Sequence, residues 1–143
     1  MAALSAGIPI SIRGMNAESS LREFPVGNDI VYHGGLVSML VSGGTGVLLA
    51  GQDTDNHRCM GIALETVDGT GGDSPTCKVF TEGTVLLGAS GLTTASVGAV
   101  AYISNDQTVV TSGTSNTIIV GIIEEYVSAT KCWVRLNPYH VTA

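Results

Sequence analysis

From Asn28 onward the chain is written in short β-branched runs, each closed within a few residues by Gly, Ser, Thr, Asn or Asp. Period-two alternation bounded by such residues is the signature of strands rather than helices. It predicts strands at Asp29–Tyr32, Leu36–Val41, Val47–Ala50, Met60–Val67, Thr76–Phe80, Thr84–Leu87, Val100–Ile103, Thr108–Thr111, Ile118–Val127 and Lys131–Leu136. Ser104-Asn105-Asp106-Gln107 reads as a tight turn joining two of them, and Thr93–Val97 as a single helical turn. With many short strands and no long amphipathic helix, the expected fold is all-β: a compact small barrel or a jelly-roll-like sandwich. The alternating strands put Ile62, Leu64, Val79, Val85, Val100, Ile122 and Val134 in the expected core.

One stretch of this pattern occurs twice. Met60-Gly61-Ile62-Ala63-Leu64-Glu65-Thr66-Val67 is answered sixty positions later by Val120-Gly121-Ile122-Ile123-Glu124-Glu125-Tyr126-Val127. Each copy leads through a loop to a second strand, Cys77-Lys78-Val79-Phe80 in one and Cys132-Trp133-Val134-Arg135-Leu136 in the other. The first loop is five residues longer, an insertion that costs little because closure entropy grows only logarithmically with length. Gly61 and Gly121 are therefore expected at matching positions, where a bulge or a close backbone approach excludes Cβ. An approximate two-fold is expected to relate the two hairpins.

Residues 1–27 differ from the rest. Ile8-Pro9-Ile10-Ser11-Ile12 alternates like a strand that Pro9 restricts to an edge or an extended arm. Asn16 is placed to cap a short helix over Ala17–Glu23, which Pro25 would end. The chain divides into an N-terminal arm or added strand (1–27), a β-domain (28–136) and a C-terminal tail (137–143).

Composition narrows the possible partners. The chain has 143 residues and is 44% hydrophobic but only 13% charged, about half the usual share, so part of its surface is expected to meet another chain. A net charge of −6 with six scattered basic residues argues against nucleic acid as a partner. The uncharged run Ile30–Gln52 is cut by glycines into strands and turns, no membrane-spanning helix is indicated, and no secretory signal is expected. Cys59, Cys77 and Cys132 cannot all pair and none sits in a Cys-x-x-Cys spacing, so they are expected as buried free thiols in a reducing compartment.

Five patterns suggest candidate chemistry, and each is incomplete. Asp53-Thr54-Asp55-Asn56 opens like a calcium loop, but Arg58 and Leu64 stand where Gly and Glu are required, leaving a solvated turn. His57 and Cys59 have no further ligands at metal spacing, since His33 and His140 are isolated. Gly43-Gly44-Thr45-Gly46 and Gly69-Thr70-Gly71-Gly72 lack the Lys-Ser/Thr ending of a phosphate loop. Gly88-Ala89-Ser90-Gly91 does not complete a nucleophile elbow. Glu124 and Glu125, adjacent on a strand, are expected on opposite faces, where they cannot share a substrate. No enzyme activity and no cofactor are expected.

From about Gly27 to Leu136 the chain resembles the bacteriophage capsid decoration, or head cement, proteins. Three stretches carry the resemblance. The first is Gly61-Ile62-Ala63 with Val79-Phe80-Thr81-Glu82-Gly83-Thr84-Val85. The second is Gly98-Ala99-Val100-Ala101-Tyr102-Ile103 with Thr108-Val109-Val110-Thr111. The third is Asn116-Thr117-Ile118-Ile119-Val120-Gly121-Ile122, closed by Trp133-Val134-Arg135-Leu136. The long first loop, the N-terminal region and the Tyr139-His140 tail depart from the pattern. The resemblance implies a structural protein on the outer capsid surface of a virion, assembled in the host cytoplasm. Its implied partners are the major capsid protein and further copies of itself, as a trimer or a dimer. In that setting Ile8, Ile10 and Ile12 are expected to contact the capsid or a sister subunit by strand addition. There are two alternative readings. One is a tail or baseplate β-module; the other is a ligand-binding β-sandwich, disfavoured by an aromatic content of 5% with one Trp.

Overall fold

In this computed structural model, residues 3–13, 21–40 and 46–136 are described. They form β1 (Ile12–Arg13), β2 (Leu21–Pro25), β3 (Ile30–Val31), β4 (Leu36–Leu40), β5 (Leu49–Ala50), β6 (His57–Ala63) and β7 (Val67–Asp68). The chain continues through β8 (Thr76–Phe80), β9 (Gly83–Gly88), β10 (Val100–Asn105), β11 (Thr108–Val110), β12 (Ile119–Ser128) and β13 (Lys131–Leu136). One 3-10 turn, Thr94–Ser96, falls in the expected Thr93–Val97 segment. The fold is all-β and sandwich-like, with no closed barrel found. Strands β8 and β13 have the bounds the sequence predicts. The helix expected over Ala17–Glu23 is contradicted in its described part, because Leu21–Pro25 is a strand paired with β8. Ladder hydrogen bonds along β8 override the local helix preference of Leu21, Arg22 and Glu23. The Asn16 cap, the Gly43-Gly44 turn and the 137–143 tail lie outside the described residues.

The repeat is larger than two hairpins. The strands of one sheet lie in the order β2-β8-β6-β4-β5, and those of the other in the order β1-β9-β13-β12-β10-β11. Apart from the added β1, strands β2, β4, β5, β6 and β8 occupy the same places as β9, β10, β11, β12 and β13. The correspondence extends to irregular features. Val37 and Ser38 face Gly61 and Cys59, leaving Met60 bulged. Ala101 and Tyr102 face Gly121 and Ile119, leaving Val120 bulged. Isolated parallel bridges join Val26 to Leu48 and Ala89 to Val109. Beside them, Val26 N donates to Pro75 O and Ala89 N to Thr130 O, both at 2.8 Å.

Two cores result, and they show how the modules stack. The smaller one holds Val26, Val37, Leu48, Met60, Ala63, Cys77 and Val79 from the first module, closed by the β3–β7 ribbon through Val31 and Val67. The equivalents of those seven, Ala89, Ala101, Val109, Val120, Ile123, Cys132 and Val134, all lie in the larger core between the two sheets. That larger core is completed from the other side by Leu36, Cys59, Ile62 and Phe80, from the opposite face of the first module. The two modules therefore pack head to tail. A two-fold exchanging the sheets would bury the same face of both, so the expected two-fold is corrected.

The expected core needs three changes. Ile62, Val79, Val85 and Val134 are buried, whereas Leu64 and Val100 are only half-buried. Ile122 is 39% exposed while its neighbour Ile123 is 1% exposed. Ile122 corresponds to Ile62, whose face meets the second module, but no third module covers Ile122.

Candidate interaction surface

The outward side of the six-stranded sheet is built by alternation. Val85 and Leu87 on β9, and Cys132 and Val134 on β13, point to the core; Thr84, Leu86, Trp133 and Arg135 therefore point out. Ile122, Val100 and Tyr102 extend this face across β12 and β10. Leu86 pairs with Trp133, Ile122 with Val100, and Tyr102 with Ile119, an apolar row that Arg135 and Glu125 interrupt.

Charged side chains are fastened over one end of this row. The Arg13 guanidinium lies 4.1 Å from the Trp133 ring centre and forms an ion pair with Glu125. A cation over an aromatic face is attracted by the ring quadrupole. Thr84 Oγ1 donates to Glu124 Oε2 at 2.5 Å. The register skips Glu124 between the pairs Ile123–Val134 and Glu125–Trp133. This bulge brings both carboxylates to the outer face, a correction to their expected placement on opposite faces. Each has a partner in the sheet.

Ile8, Ile10 and Ile12 do not form one continuous strand. All three are half-buried, and Ile10 and Ile12 pack on the larger core. Ile8 N donates to His33 O at 2.8 Å, and the His33 ring Nδ1 lies 2.6 Å from Ile8 O. Only Ile12–Arg13 joins the sheet, pairing with Val85 and Thr84. The three isoleucines are thus turned toward their own domain, while β1 sits at a sheet edge.

Gly61 and Gly121 hold matching positions, as expected. A Cβ on Gly61 would lie 2.1 Å from Phe80 O, and one on Gly121 would lie 1.9 Å from Arg135 O. Phe80 and Arg135 are themselves equivalent in the two modules. Gly61 also has φ +128°, a conformation that side chains rarely adopt.

The remaining candidates serve structural tasks. Asp53 accepts from Ser115 N at 2.9 Å and Asn116 N at 3.0 Å, pinning the loop before β12. His57 Nδ1 lies 3.0 Å from Ser38 Oγ with both residues buried. Burial holds the His57 pKa below its ordinary value. Cys59, Cys77 and Cys132 are free and buried, with thiols pushed up by desolvation to about 12, 11 and 11. Among the described residues no three His, Cys, Asp or Glu side chains gather as a metal site, and no helix is long and apolar enough to cross a membrane.

One open cleft of about 570 Å³ is lined by Asn28, Asp29, Tyr32, Gln52, Asn105 and Asp106 among others. Asp29 accepts from Ile30 N at 2.8 Å and Ala50 N at 2.9 Å, and Asp106 accepts from Leu4 N at 2.8 Å. Burial, with the Asp29 charge as a lesser cause, raises the Asp106 pKa. Both carboxylates are engaged in fastening backbone. Nothing in the sequence pattern marks the outer face, because its residues read as ordinary strand positions; the bulge at Glu124 and the uncovered layer at Ile122 set it.

Comparison with family models, curated proteins and solved structures found no match to this chain.

Proposed function

We propose that this chain is a structural virion protein that binds the outside of a bacteriophage capsid and stabilises the shell by bridging neighbouring major capsid protein subunits. The observation that carries the reading is the outer face of the six-stranded sheet. Ile122 is 39% exposed there, with the half-buried Trp133, Leu86, Val100 and Tyr102 on the same face, on a doubled β-module whose own cores are filled. We read this mixed apolar and charged face as the contact surface. The resemblance of residues 27–136 to decoration proteins points the same way. A protein that binds only the assembled shell stabilises it by mass action, and many weak contacts accumulate over one shell. Ile8, Ile10 and Ile12 are occupied by their own domain, so capsid contact through this segment falls to the free backbone edge of β1, which is suited to strand addition.

Purified protein incubated with expanded capsids that lack it tests the reading. Co-sedimentation at a saturable number of copies, with shells surviving higher temperature, is expected; a protein that stays in the supernatant contradicts it.

A further inference from the structure

We infer that the outer face of the second module is a self-association surface, and that its occupant is the β3–β7 end of another copy of this chain, docked head to tail. The inference deepens the self-association part of the proposed function and needs no capsid.

The chain already covers the equivalent face of its first module. The back of the first module, with Leu36, Cys59, Ile62 and Phe80, is buried against the open core of the second. The equivalent back of the second module carries Val100, Ile119, Ile122 and Arg135 at the same four positions. Ile119 is 8% exposed, Ile122 39% exposed, and Arg135 replaces the phenylalanine on the open side. The stack thus ends in a surface whose counterpart is covered.

Charge selects the occupant. Three of the six basic residues in the chain, Arg13, Lys131 and Arg135, lie on this face with Glu124 and Glu125; the other three basic residues stand against ten acidic ones. At the opposite end of the stack, the β3–β7 ribbon and its loops carry Glu65, Asp68 and Asp73, and residues 59–77 contain no Lys or Arg. Arg22 on β2 and the half-buried Arg58 are the cations on that side of the sheet. A face with a slight positive excess therefore meets an acidic end when copies stack in the sense of the internal repeat. Such complementarity favours one partner orientation and suppresses the reverse. Because donor and acceptor surfaces differ, the contact is heterologous and is not exhausted by a dimer.

Analytical ultracentrifugation of the full chain, over a wide concentration range and at low and high salt, tests this. Assembly beyond a dimer is expected, weakened by salt and by Ile122→Asp or Arg135→Glu on the order of tenfold or more. Near-ultraviolet circular dichroism of each variant checks that the fold is retained. Asp68→Lys/Asp73→Lys is expected to weaken assembly as well, and mixing it with Arg135→Glu to restore association. A chain that stays monomeric throughout overturns the inference. So does a species that stops at a dimer and ignores the Asp68→Lys/Asp73→Lys change, the mark of face-to-face pairing. Capsid binding by a monomeric chain would leave the proposed function standing while this inference fell.

Discussion

Gly61 and Gly121 are sixty residues apart and occupy one structural position twice. Each follows a bulged residue, Met60 or Val120, and each lets a carbonyl of the paired strand, Phe80 or Arg135, come closer than a Cβ would allow. Replacement by Ala forces a backbone displacement at either site. Gly61→Ala and Gly121→Ala are each expected to cost about 2 kcal/mol or more in a urea titration, with Gly61→Ala the costlier because its φ is positive. A loss under about 0.5 kcal/mol at both would show that the strands separate without penalty.

The neighbouring pair Ile122 and Ile123 tests the direction of stacking. Ile123→Ala is expected to cost about 2–5 kcal/mol, and Ile122→Ala under about 1 kcal/mol. Ile62, the equivalent of Ile122, is buried by the second module, so Ile62→Ala should resemble Ile123→Ala instead. Equal losses at Ile62 and Ile122 would be the outcome of a two-fold arrangement.

These equivalences also show what could be read from the chain. The strand pattern of β8 and β13 and the glycine pair were legible because β-branched alternation and a repeated Gly-Ile pair survive in the sequence. The larger repeat was not, since Leu21–Pro25 and Gly83–Gly88 share a place in the sheet but almost no residue types. Leu21, Arg22 and Glu23 favour helix locally, and only pairing with β8 decides otherwise. The head-to-tail packing was hidden for a different reason. Both faces of the first module are apolar, with Ile62 and Ala63 each buried in a different core, so alternation could not tell which face meets the second module. At Ile122 and at Glu124–Glu125 alternation alone does not give the outer face, because an uncovered layer and a bulge decide exposure there.

Burial of neutral His57 sets a pH dependence. Its pKa in the folded chain lies below the ordinary 6.5, so the unfolded chain binds more protons as pH falls through that value. Stability should therefore be full above about pH 6.5 and decline below it. Asp106, whose pKa is raised, acts with the opposite sign nearer the carboxylate range. Urea titrations at a series of pH values check this: His57→Gln is expected to flatten the decline between neutral pH and the carboxylate range, and an unchanged slope would place its origin elsewhere.

The thiols should be silent in the native protein. Cys59, Cys77 and Cys132 are buried with pKa values of about 12, 11 and 11, so little thiolate forms near pH 8. Alkylation is expected to be slow in buffer and to modify three sites in denaturant. Rapid labelling of the folded chain at any of them would expose an opening that the packed cores do not contain.

The N-terminal segment should behave as part of the domain. Ile10 and Ile12 pack on the larger core, and Ile8 is held by His33. Deleting residues 2–14 is expected to lower the melting temperature by several degrees, as loss of about 1 kcal/mol does in a domain of this size. An unchanged melting temperature with weakened capsid binding would make the segment an arm.

A chain that reinforces a capsid from outside, as proposed, should be visible in a cryo-electron microscopy reconstruction of expanded shells mixed with the purified protein. The expected result is ordered density for the double module on the outer surface, spanning the boundary between major capsid protein subunits. Bare shells at saturating protein, or density confined to a tail or baseplate when whole virions are imaged, would contradict it.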